Sequence, residues 1–197
     1  MSKVTNSMSA RDKLLRAAGE LFYARGITAT GIDAVILRAG VAKMSLYNNF
    51  KSKSDLVAAY IDARHNEWLT LYAKRTESLS NGWELVLAVF DAYRDHAECD
   101  YENGFRGCGL LNAAAEMPAD SAERAAVNRH KQHVKSIVIE HLSSLPLIED
   151  QPQTATQLAE HICFLLEGSI SLAGLTKDTQ AIERAKDMAD KLIEQAL

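Results

Sequence analysis

Apolar residues in this chain return every three or four positions from one end to the other, and that spacing admits helices and little else. Leu14, Ala17, Ala18, Leu21 and Phe22 stand at i, i+3, i+4, i+7 and i+8, the stripe of a helix with one buried face. No segment alternates apolar and polar residues as a half-buried strand does. The prolines, Pro118, Pro146 and Pro152, all stand in or beside expected loops, so none breaks a helix from within. The expected fold class is all-α.

Start and stop signals divide the chain into about nine helices. Ser9 caps the first, with Asp12 three residues on, the spacing of a capping box. It runs to Arg25, and Gly26 supplies the residue that closes it. Thr30-Gly31-Ile32-Asp33 opens a second helix that ends at Ala39-Gly40. A brief third follows over Lys43–Asn49, and Ser52 or Lys53 opens a long fourth through about Glu77. Asn81-Gly82 breaks the chain before a fifth helix, roughly Trp83–Glu98. Asn103–Gly107 reads as a loop, Cys108–Glu116 as a short sixth helix and Ala122–Ser143 as a seventh capped by Ser121. Leu145–Gln153 reads as a second loop, before helices over about Thr154–Leu175 and Asp178–Ala196.

Charge is unevenly placed along this helical frame. The 197 residues carry a formal net charge of −4, yet residues 1–60 hold nine basic side chains against four acidic ones, leaving +5 there and −9 in the remainder. A basic segment on an acidic body points to two roles, one of them toward a polyanion. Other classes are excluded by what the chain lacks. The first eight residues have no apolar core of a secretion signal. The longest apolar runs resemble Ile162-Cys163-Phe164-Leu165-Leu166, far from the roughly 20 residues that cross a bilayer. Three widely spaced cysteines make neither a disulfide framework nor a zinc ribbon. A cytoplasmic protein that binds no membrane is expected. No Gly-x-Ser-x-Gly, His-Glu-x-x-His or Gly-rich phosphate loop occurs, so no enzyme is expected.

Two short helices joined by a turn holding Gly40 form a helix-turn-helix pattern. Ile32, Val35, Ile36 and Ala39 can pack the second helix on the first, while Val41 and Leu46 anchor the third. That leaves Lys43, Met44, Ser45, Tyr47 and Asn48 facing outward. Such a helix suits the major groove, where Lys donates to guanine, Ser and Asn bond base edges and Met meets a thymine methyl. Thr30, Tyr47 and Lys53 stand where phosphate contacts are expected. A protein-binding helical adaptor is the rival reading, and it predicts no salt-dependent duplex binding.

The string Thr28-Ala-Thr-Gly-Ile-Asp33, followed by Ala39-Gly-Val-Ala-Lys-Met-Ser-Leu-Tyr-Asn-Asn-Phe-Lys-Ser-Lys-Ser-Asp-Leu56, closely resembles the signature of the tetracycline-repressor (TetR/AcrR) family. The resemblance covers about residues 9–60; beyond it, length and helix number are similar. It implies a dimeric DNA-binding regulator, usually a repressor released from a palindromic operator by a small-molecule effector, with no cofactor. Residues 1–52 would be the helix-turn-helix domain and 53–197 the ligand-binding and dimerisation domain. By position, Thr30 resembles the phosphate-contacting cap of the second helix, Lys43, Met44, Ser45 and Asn48 the base-reading positions, and Tyr47 and Lys53 phosphate contacts. Gly31, Met44 and Asn48-Asn49 depart from the residues common there, which bears on the operator read.

The same resemblance assigns ligand binding and pairing to the body. Candidate pocket residues are Trp68, Tyr72, Phe90, Tyr93, Phe105, Cys108, Asn112, Glu116, His133, Phe164 and Glu167. A ligand site is typically apolar with a few polar groups that fix orientation. The last two helices carry small residues (among them Ala159, Gly168, Ser169, Ala173, Gly174, Ala181, Ala185 and Ala189) that permit close approach, and a four-helix interface between subunits is expected there. His130 and His133 have a chelating spacing, but no neighbouring Cys or carboxylate completes a set, and no metal is expected. Cys108 beside Arg106 is the cysteine to weigh for redox reactivity against an inert buried role.

Overall fold

The computed structural model describes residues 8–146, 148 and 152–196. Residues 1–7, read above for a secretion signal, and residues 147 and 149–151 of the expected second loop lie outside the described residues. The described residues form nine helices and no strand: α1 (Ala10–Arg25), α2 (Ile32–Ala39), α3 (Lys43–Asn49), α4 (Lys53–Thr76), α5 (Gly82–Ala97), α6 (Gly109–Ala115), α7 (Ala122–Ser143), α8 (Pro152–Thr176) and α9 (Gln180–Ala196).

Local chemistry explains most boundaries. The Ser9 hydroxyl accepts the Asp12 N–H at 3.1 Å and so caps α1. Ser52 and Ser121 do the same for α4 and α7, each satisfying an amide that the helix leaves free. Gly40 closes α2 in the left-handed conformation, at φ +62°. The start of α2 differs from expectation. Its cap is Gly31, without a side-chain bond. Thr30 is buried instead, and its hydroxyl donates to the Gly26 carbonyl at 2.7 Å. A threonine hydroxyl bonded back into the preceding turn is not free to cap the helix that follows.

Burial falls into two clusters that meet along α4. The first joins Leu14, Leu21, Phe22, Val35, Leu46 and Phe50 to Leu56, Tyr60 and Ile61 of α4, and also takes in Leu110, Ala113 and Val127. The second surrounds Trp68, Phe90, Val138, Leu142, Ile162, Leu166, Ile170 and Ile193. Residue 53 is the first of α4, but the helix gives its opening turns to one core and Trp68 and Tyr72 to the other. The two halves are thus joined by one continuous rod.

The apolar runs understate α8. At 25 residues it is long and apolar enough, by length and composition, to cross a membrane, which corrects the expectation read from uninterrupted runs. Its inner face is committed to the protein core through Ala155, Ala159, Ile162, Leu166, Ile170 and Ala173. A core helix of a water-exposed fold passes the same compositional test.

Candidate nucleic-acid interface and inner cavity

The seven-residue α3 is held to the core by one buried side chain, Leu46, with Phe50 buried just beyond its end. This fixes which residues turn outward. Met44 is 67% and Tyr47 50% exposed, and Lys43 and Asn48 are also exposed, whereas Ser45 and Lys53 are half-buried. The Lys43 ammonium sits 3.1 Å from Asp33 of α2, and this hydrogen bond and the aspartate charge raise its pKa. Lys43 is therefore held as a cation at the lip of the recognition helix. Six of the seven expected contact residues lie on or beside one surface of α3 and the start of α4. Thr30, buried with its hydroxyl engaged, does not present that hydroxyl to a phosphate. Leu37 on α2 is also 83% exposed and was not singled out by the sequence pattern, since a lone exposed leucine carries no motif.

The expected pocket residues divide more sharply. Trp68, Tyr93, Phe105 and Cys108 come together around a small cavity of about 20 Å³, with Arg64, His96, Gly107, Gly109, Leu110, His130 and Ile170 completing its wall. Tyr72 stands behind Trp68, stacked on it at 5.3 Å, and its hydroxyl donates to the Leu85 carbonyl. Phe90 is fully buried in the core and lies outside the cavity wall. Glu167 touches the wall only indirectly, through an ion pair to Lys131 at 2.7 Å. His133 is exposed, its ring against His65. Phe164 is 68% exposed and Asn112 donates to the Arg106 carbonyl. Glu116 points away from the cavity, to the Ile27 and Thr28 amides of the turn between α1 and α2. These last three lie outside the cavity because α6 and α8 present the opposite face to it.

A polar chain runs behind the cavity. Lys131 Nζ donates to the Tyr93 hydroxyl at 3.4 Å, Tyr93 meets His130 Nε2 at 3.2 Å, and His130 Nδ1 meets His65 Nδ1 at 2.8 Å. Two arrangements satisfy all three contacts with both imidazoles neutral: the protons point from Tyr93 through His130 to His65, or from His65 through His130 to Tyr93. Burial, together with the Lys131 and neighbouring histidine charges, pushes His130 down to about 3. Burial and the charges of Arg64 and Lys131 lower His96 to about 4. The sequence marked neither His65 nor His96, because only the packing of α4, α5 and α7 brings them to this place. Among the described residues no set of three His, Cys, Asp or Glu side chains is arranged to hold a metal. The cysteines are all free, and burial pushes Cys163 up to about 11, which keeps that thiol protonated.

One polar atom in the cavity wall is without a partner: the indole Nε1 of Trp68, 2% exposed. A buried donor left unpaired is costly. A much larger, open cleft of about 750 Å³ lies between α1, α4 and residues 99–102. Its size does not make it the better ligand site. Most of its charged groups already pair with one another, Arg38 with Glu20 and Glu102, and Arg16 with Glu20. Arg64 borders both spaces and so stands between the large cleft and the small cavity.

With this geometry in view, the comparisons with known proteins agree. Residues 14–60 match the family model described as bacterial regulatory proteins, tetR family. The crystal structure of SCO4454, a TetR-family transcriptional regulator from Streptomyces coelicolor, is 30% identical, with 95% of this chain and 93% of that chain covered and a TM-score of 0.77. An uncharacterized HTH-type transcriptional regulator from Lactococcus lactis is 28% identical over 193 residues, 94% of each chain. A TetR transcriptional regulator from Chloroflexus aurantiacus, 22% identical with 94% of each chain covered, shares the fold at a TM-score of 0.80. The chain therefore belongs to the TetR family of DNA-binding transcriptional regulators, and it is not an enzyme.

Proposed function

We propose that this regulator is a homodimeric repressor, acting in the cytoplasm and released from a palindromic operator by a small-molecule effector, with residues 1–52 reading DNA and residues 53–197 binding the effector and pairing subunits. The observation that carries the reading is the joining of an outward-facing recognition helix to an inner aromatic cavity by the single rod α4. Lys43, Met44, Ser45, Tyr47 and Asn48 are the base- and phosphate-reading set, with Lys53 as a further phosphate contact. Two such helices fit successive major-groove half-sites about one helical turn apart.

Pairing is assigned to α8 and α9. Phe164, Leu172 and Leu175 of α8 are 68%, 54% and 82% exposed and stand eight and three residues apart, so they fall on one stripe together with Gly168, beside which a Cβ would meet open space. Met188 of α9 extends the patch. Most of the small residues singled out above, including Ala159, Ala173, Ala181 and Ala189, are buried in the subunit's own core. The interface reading thus rests on the large apolar side chains, whose continuous exposure is unusual for a surface without a partner.

The effector is placed among Trp68, Tyr93, Phe105 and Cys108, with Trp68 Nε1 donating to it. At about 20 Å³ the cavity admits little more than a water molecule, so an effector must open it, and movement of Arg64 toward the open cleft is the natural route. Because α4 carries both Arg64 and Trp68, opening tilts the rod that ends at the reader. Release requires the effector to bind this tilted state better than the DNA-competent one.

The test is a gel shift on the duplex flanking the protein's own gene, with increasing salt and then a panel of small molecules. Binding should weaken steeply with salt. Tyr47→Ala and Lys53→Ala should each weaken it with the helical circular-dichroism signal unchanged, and Lys53→Ala should reduce the salt slope by about one. Binding that neither salt nor either substitution alters would overturn the assignment of this surface.

A further inference from the structure

The reader touches the body at the end of α6, a helix whose first turn lines the cavity. Glu116, which ends α6, reaches across to the turn between α1 and α2. Its carboxylate accepts the Ile27 N–H at 2.9 Å on one oxygen and the Thr28 N–H at 2.7 Å on the other. An ionised carboxylate spanning two adjacent amides is among the stronger and more directional hydrogen-bonding arrangements. The turn is shaped to receive it. Gly26 adopts φ +91°, and a Cβ on this residue would come within 2.8 Å of Glu116 Oε1. Only glycine tolerates both the backbone conformation and the approach.

A second contact stands beside the first. The Tyr23 hydroxyl accepts the Arg106 N–H at 2.6 Å and donates to the Gly107 carbonyl at 3.0 Å, while Arg106 Nη1 donates to the Tyr23 carbonyl. Tyr23 is buried and acts as packing as well as polar contact. Glu116 is different: it is exposed, and it adds nothing to either hydrophobic cluster. The helix it contacts has its own cap at Ser9, its own closing glycine and its own core residues. The elements of the reader thus have caps and apolar packing that do not involve the carboxylate.

We propose that Glu116 is the positioning residue that fixes how the helix-turn-helix is seated on the body, and thereby sets the half-site spacing that the regulator accepts. The inference rests on the dimer reading above, since spacing has meaning only for two linked readers. The only covalent route from reader to body is α4, a single helix that can pivot. A carboxylate pin on the far side of the reader, at the turn after α1, acts with the Tyr23–Arg106 contact and the Arg38–Glu102 ion pair to restrict that freedom. Small rotations about α4 are magnified at α3, and a major-groove helix must meet its half-site in register.

The experiment uses the full chain. Wild-type protein, Glu116→Ala and Glu116→Gln are put in parallel through selection from a random-sequence duplex library, and the selected half-sites and their spacings are read. Wild type should select paired half-sites at one spacing. Glu116→Ala should select the same half-site sequence over a spread of spacings, bind the wild-type operator about tenfold more weakly, and bind a duplex with one half-site as wild type does. Glu116→Gln keeps the shape and one acceptor oxygen, so it should fall between and also guards against a folding defect in the alanine variant. Amide exchange at Ile27 and Thr28 should quicken in both variants. An unchanged spacing in Glu116→Ala overturns the proposal, as does an equal loss on single and paired half-sites. If wild type selects isolated half-sites only, the dimer reading fails and the proposal fails with it, and that result is visible before any variant is compared.

Discussion

Gly174 shows how much a single position can decide. It lies on α8, where a Cβ would stand 2.3 Å from the Gly107 nitrogen and 2.6 Å from its Cα. Both are backbone atoms of the loop that leads into α6, so no flexible side chain can yield. Gly174→Ala should destabilise the protein by roughly 1–3 kcal/mol, the usual cost of overpacking, measured as a lower urea midpoint at unchanged slope. Gly168→Ala on the same helix meets nothing within its own subunit but lies on the stripe assigned to pairing, so in the same assay it should cost clearly less than Gly174→Ala, offset in part by the better helix propensity of alanine. Equal effects at the two positions would refute the steric account. The sequence showed two glycines six residues apart on one apolar helix and gave no ground for telling them apart.

At the scale of elements, the seam between α4 and α7 depends on uncharged imidazoles. His65 and His130 meet nitrogen to nitrogen, a contact that holds one proton, so a second proton added there would set two N–H groups against each other. Charges facing the pair include Lys131 on α7 and Asp62 on α4, with His133 and His96 close by. The folded pKa of His130 is depressed far below that of an unfolded histidine, so the unfolded chain takes up protons that the native state refuses. Stability is therefore full above about pH 6.5 and declines as pH falls through and below that value, toward about 3. For His130 alone the loss between pH 7 and pH 5 is about 2 kcal/mol. That window lies above the carboxylate range, so Glu116, whose pKa is lowered because the Thr28 and Ile27 amides outweigh its partial burial, adds its own loss only at lower pH. Urea unfolding at several pH values between 7 and 5 measures this, and a flat profile would show that the pair is protonated in the native state at little cost.

For the whole molecule, the apolar stripe on α8 carries the largest consequence. Phe164→Glu should convert a dimer into monomers by light scattering, with the monomer's helical signal retained because Phe164 contributes little to the subunit core. Operator affinity should fall by 100-fold or more, since each reader then binds alone and loses the effective concentration its partner supplied. A variant that stays dimeric would move the interface elsewhere.

Local pattern was enough for the helices, their caps and the outward set on α3. Each depends on neighbours within about four residues, where helical periodicity and turn chemistry act directly. Thus Ser9, Ser121 and Gly40 behave as their types and positions dictate, and Leu46 sorts its neighbours on α3 into buried and exposed. Thr30 failed this logic because its hydroxyl had a competing partner in the preceding turn. The body was less legible. Trp68, Tyr93, Phe105 and Cys108 do line a cavity, but Phe90 and Tyr72 are equally apolar and do not, since side-chain type does not say which face of a helix meets which neighbour. Glu116 and Ile27 are 89 residues apart, and His65 and His130 are 65 apart. What the sequence determined by itself was the set of helices and most of the side chains that α3 turns outward. What the tertiary structure decided was which distant polar groups meet, because those contacts follow from the packing of whole helices and leave no mark on the residues nearby in the chain.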